Sequence, residues 1–122
     1  MTQPVAFTGT INTADQWPLP TVGTYGGAYC IQFESAGFAG TGIVLKARSR
    51  NSPTSFSWQP IPYTRLNVTG AASDATIASA PIATSGIIHV ITADGMELML
   101  DSSAGGWSGG AMAYAATPAP AR

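Results

Sequence analysis

Gly106-Trp107-Ser108-Gly109-Gly110 fits the G-x-S-x-G pattern that presents a serine nucleophile in α/β-hydrolases. That chemistry needs a strand before the serine, a helix after it and a histidine base later in the chain. Here glycines flank Trp107-Ser108 on both sides, and His89, the sole histidine, precedes the serine. The pattern therefore reads as a loop, and hydrolysis is not expected. His89 falls mid-strand on the face of Ile87 and Ile91, the position of an ordinary strand histidine. Cys30 is the only cysteine, so an intramolecular disulfide is impossible. Between Tyr29 and Ile31 it is expected to be a buried thiol.

Metal and phosphate chemistry find equally little support. One histidine and one distant cysteine cannot build a structural zinc site. The six carboxylates Asp15, Glu34, Asp74, Asp94, Glu97 and Asp101 are scattered. Asp94, Glu97 and Asp101 are near enough for a loose calcium site, but no segment matches a calcium loop. No glycine-rich loop leads into a helix, so nothing cradles a phosphate. The expectation is a chain without metal, cofactor or enzymatic activity.

Aromatic residues are the remaining candidates. Trp17 stands in the run Trp17-Pro18-Leu19-Pro20, and Trp107 in the glycine loop. An exposed tryptophan offers a large apolar area with one polar handle, which suits an interface or a sugar-stacking platform. We expect Trp17, Pro18, Leu19 and Pro20 to dock on a partner. Trp107 is the candidate for a second contact, or for a glycan beside Gln32 or Glu97.

Charge points the same way. Only 9% of the 122 residues are charged, against about 25% in an ordinary soluble domain. A free monomer keeps itself soluble with a mixed charged surface, so this composition implies that neighbours cover part of the chain. Five basic residues and a net charge of -1 exclude a nucleic-acid footprint. Lys46, Arg48 and Arg50 alternate and so share one strand face, either solvated or set against an acidic surface. No apolar run approaches the roughly 18 residues of a membrane span. The start lacks the basic and apolar regions of a secretory leader, so synthesis in a cytoplasm is expected and the sequon at residues 67–69 reads as chance.

The elements that must position these residues are strands. No window shows a capped 3.6-residue apolar period. Strand patterns fall at residues 5–11, 28–35, 43–50, 55–63, 76–78, 86–92, 96–101 and 111–115. Alternation turns Tyr29, Ile31, Phe33, Ile43, Leu45, Ala47, Leu98 and Leu100 inward, joined by Trp58 and Val90, and leaves Glu97, Met99 and Asp101 outward. Ala93-Asp94-Gly95 between two such runs predicts a hairpin. Residues 13–27, with Pro18 and Pro20, read as a loop or arm, and residues 37–42 as a glycine turn. The expected fold is all-β, an antiparallel two-sheet β-sandwich of 7–8 short strands, with a small β-barrel as the alternative. The expected organisation is a strand and arm over 1–24, the sandwich over 25–115 and an extended Ala/Pro tail over 116–122.

Gly40-Thr41-Gly42-Ile43-Val44-Leu45-Lys46-Ala47-Arg48-Ser49, a polar turn, and Phe56-Ser57-Trp58-Gln59-Pro60-Ile61 resemble the small β-sandwich modules of tailed-phage virion proteins. The run 86–100 is similar to their closing hairpin. The chain departs by Ser52-Pro53 where such turns often have Asp-Gly, and by a longer N-terminal arm. The resemblance implies a structural virion protein, a capsid decoration (cement) protein on the outer shell. Its partners would be the major capsid protein and copies of itself, as trimers at local three-fold positions. The alternatives are a carbohydrate-binding adhesion module contacting cell-surface glycan, or a tail or connector component. Deleting residues 1–24 is then expected to abolish attachment and leave the sandwich folded.

Overall fold

A computed structural model describes residues 6–19, 27–49, 52–53, 55–66, 75–92 and 95–118. Among these residues the chain forms ten strands and no helix. They are β1 (Phe7–Ile11), β2 (Gln16–Pro18), β3 (Gly27–Ala39), β4 (Val44–Ser49), β5 (Gln59–Pro60), β6 (Tyr63–Leu66), β7 (Ala75–Ala78), β8 (Gly86–Thr92), β9 (Met96–Asp101) and β10 (Gly109–Pro118). The larger sheet has the order β1-β10-β3-β8-β6-β7 and the smaller the order β2-β9-β4-β5, with every pairing antiparallel. Both sheets are open at their ends, so the fold is a β-sandwich and the barrel alternative is set aside.

The core lies where the two inner faces meet. Tyr29, Ile31, Phe33, Ile43, Leu45, Ala47, Val90, Leu98 and Leu100 are all buried, as their alternation predicts. Ile11, Leu19, Tyr63, Ile82, Ile88, Met112 and Ala116 complete the cluster. Each fully buried aliphatic or phenyl side chain contributes about 1.5–3 kcal/mol of transfer free energy, so this layer dominates stability. Ile43 and Ile82, both fully buried, exchange two 2.8 Å backbone hydrogen bonds outside the regular ladders.

Several expectations need correction. β8 and β9 are not a hairpin. Both edges of β8 are taken by β3 and β6, and both edges of β9 by β2 and β4, so the connection crosses from one sheet to the other. A turn signal reverses the chain but does not choose its hydrogen-bond partners. Residues 93–94 lie outside the described residues; Gly95 has φ +82°.

Residues 37–39 are strand rather than turn. Ala111 opposes both Ala36 and Gly37, a β-bulge beyond which β3 continues. Gly37 and Gly110 both have positive φ there, and a Cβ on Gly110 would overlap the Gly37 carbonyl. Part of the arm is also strand, since β2 forms an edge of the smaller sheet, where a proline is tolerated. At the other end, Ala116, Thr117 and Pro118 belong to β10, and Ala116 is fully buried.

Candidate interaction surface

The two outer faces differ in charge. On the smaller sheet, Lys46 and Arg48 of β4 face Asp101 and Glu97 of β9. Lys46 Nζ lies 2.7 Å from Asp101 Oδ2, and Arg48 Nη2 lies 3.1 Å from Glu97 Oε1. Burial pushes the Asp101 carboxyl up, but hydrogen bonds from Lys46 and Ser103, with the Lys46 charge, outweigh it and hold its pKa below the usual carboxylate range. The Arg48 guanidinium stacks 4.4 Å from the centre of the Trp58 ring. Trp58 is therefore a half-buried surface residue, and the expectation that it joins the core is corrected: its strand stops short, and a cation outside the core holds the ring. Met99 and Asp101 do turn outward but are buried, because β9 is an inner strand flanked by Lys46 and Pro18, and by Val44 and Gln16. Arg50 lies outside the described residues.

The outer face of the larger sheet has the opposite character. Its strands align residues of equal parity into rows. One row runs Thr8, Ala115, Gln32, Ile87, Leu66, and the next runs Thr117, Cys30, His89, Thr64, Ile77. Ile91 and Ala28 lie beyond the second row, Glu34 and Ala113 beyond the first. Glu34 is the only carboxylate in these rows, and Gln32 Nε2 donates to it at 3.0 Å. Ile77 is 82% exposed and Ile91 75%. Beside them Ile61, Tyr63, His89 and Met96 line a cleft of about 330 Å³. Aliphatic residues this open on a sheet face are expensive to leave in water, and a contiguous group of them marks an interaction site.

Cys30 is exposed, which corrects the buried thiol. Strand parity sets it with Gln32 and Glu34, and parity overrides the apolar character of its sequence neighbours. It pairs across strands with His89, also exposed. Burial pushes the Tyr29, Tyr63 and Tyr114 hydroxyls up.

The structure separates the predicted docking residues. Leu19, 3% exposed, belongs to the core, and its N–H donates to the Leu98 carbonyl at 3.0 Å. Trp17 is half-buried against that core, while Pro18 is exposed. Pro20 lies outside the described residues. Trp107 is half-buried, and its indole N–H donates to the Gly110 carbonyl at 2.9 Å. Gln32 is hydrogen-bonded to Glu34 and Glu97 is paired with Arg48, on the outer faces of different sheets. Asp94 is outside the described residues, and among those described no three His, Cys, Asp or Glu side chains gather in a metal-holding group.

One residue with no sequence signal organises this end of the molecule. Ser102 is fully buried; its hydroxyl donates to the Thr13 carbonyl at 2.7 Å and accepts from the Asp15 N–H at 3.1 Å and the Trp17 indole N–H at 3.3 Å. It ties the segment before β2 to the end of β9. The loop that follows interlocks with residues 39–42: Thr41 and Gly42 N–H groups donate to the Gly105 and Gly106 carbonyls, and the Ser108 N–H to the Ala39 carbonyl. A Cβ on Gly40 or Gly106 would strike the backbone of the facing loop.

No protein-family model, no curated protein and no solved structure matches the chain.

Proposed function

We propose that the protein works by assembly: a structural virion subunit that decorates the outer shell of a tailed-phage head and stabilises it. The single observation that supports this most is the outer face of the larger sheet, where Glu34 is the one carboxylate in the described rows and Ile77 and Ile91 stand open, opposite a face where Lys46 and Arg48 are paired with Asp101 and Glu97. Covering apolar surface is worth roughly 25 cal/mol per Å² before association costs, and symmetric repetition on a lattice turns modest contacts into avidity. The low charge of the chain and the resemblance of residues 40–62 to phage sandwich modules favour the same reading.

Peptide mass spectrometry and immunogold labelling of purified virions from the source of this chain test it. The expected result is the chain in the head shell at high copy number, with decorated heads outlasting undecorated ones on heating. A chain found only in the soluble fraction, or confined to the tail, overturns it.

A further inference from the structure

We propose that the outer face of the larger sheet is an interface between two copies of this chain, packed sheet to sheet about a two-fold axis along the row Thr117, Cys30, His89, Thr64, Ile77. This deepens the assembly reading above and rests on it, by naming what covers that face.

Size is the first argument. Six strands at about 4.8 Å spacing span roughly 24 Å, and the face runs roughly 20 Å along the strands, the scale of a standard interface that covers about 800 Å² per partner. Charge is the second. A two-fold interface sets a patch against itself, so it tolerates like charges only away from the axis. Glu34 lies four residues from Cys30 along β3, roughly 13 Å from the axis, so the two carboxylates end roughly 26 Å apart at opposite rims, beyond the screening length of about 8–10 Å. The paired Lys46, Arg48, Glu97 and Asp101 stay on the far sheet.

Shape is the third. The axis places Ile91 of one copy over Ile87 of the other, two residues either side of His89 on β8. The cleft of about 330 Å³ beside Ile91 has room for a partner's aliphatic side chain. Ala113, Ala115 and Thr117 keep the β10 side low, so that two sheets can approach to the usual separation of about 10 Å.

Native mass spectrometry and sedimentation velocity of the full chain, with cross-linking at Cys30 by a short bis-maleimide, test the inference. The expected result is a dimer that cross-links through Cys30 in high yield. Ile91→Glu is expected to raise its dissociation constant by roughly 30-fold or more, with an unchanged near-ultraviolet circular dichroism spectrum. Gln32→Arg, on the same face, serves should Ile91→Glu not fold. A monomer at all concentrations, a trimer, a dimer indifferent to both substitutions, or one that does not cross-link at Cys30 overturns it. A monomer that still decorates heads removes this inference alone, whereas a Cys30-linked dimer absent from virions removes only the functional reading.

Discussion

At the scale of single residues, stability depends on polar groups as well as on the core. Ser102 satisfies a carbonyl and two N–H groups at a position closed to water. Its replacement by alanine leaves those groups without a partner, a loss of about 1–3 kcal/mol. Ser102→Ala is therefore expected to lower the urea midpoint, with no change in slope. The Lys46–Asp101 pair makes a second, pH-dependent contribution. The Asp101 pKa is lowered in the fold from its ordinary 3.8. A depressed carboxylate stabilises the fold fully above that ordinary value, and the contribution disappears as pH falls through the folded pKa. Lys46→Met is expected to cost about 1–2 kcal/mol at pH 7 and distinctly less at pH 3. Urea denaturation at both pH values measures the difference; an equal loss at each would assign the cost to packing.

At the scale of elements, the N-terminal segment is part of the sandwich. β1 and β2 supply one strand to each sheet, and Ile11 and Leu19 are both in the core. Deleting residues 1–24 removes both strands and is expected to unfold the chain, seen as collapse of amide NMR dispersion. That outcome replaces the expectation of a folded but unattached sandwich. Leu19→Ala should cost about 2–5 kcal/mol in thermal or chemical unfolding, far beyond the effect of trimming an exposed docking residue. A folded, dispersed spectrum from the truncated chain would show that the remaining strands close the core alone.

At the scale of the whole molecule, the pairing is non-local. β1 and β10, near opposite ends of the chain, lie side by side from Phe7↔Ala116 to Ile11↔Met112. Such topologies close long loops before contacts reward them. Refolding followed by tryptophan fluorescence is accordingly expected in the millisecond-to-second range, and microsecond folding would contradict this wiring. The molecule also has two dissimilar sides, one with its charges paired and one almost without charge, and that asymmetry underlies the proposed assembly.

Much of this could be read in the sequence because side-chain parity is local. The inward sets of β3, β4 and β9 follow from alternation over a few residues, as does the sandwich class, whereas β2, the extension of β3 through residues 37–39 and the division of residues 55–66 into β5 and β6 do not. Parity also carried the rows of the outer face: Gln32 and Glu34 are outward by the same count that turns Ile31 and Phe33 inward, and Cys30 contradicted its expected burial by obeying it. Only the tertiary structure decided which strands meet. It sent β8 and β9 to different sheets, drew Leu19 into the core, covered Met99 and Asp101, made Ser102 a hub, and gathered Ile77 and Ile91 on one open surface. Each of those outcomes depends on edges and neighbours distant along the chain, and the free energy that selects them is the burial shared between the two sheets.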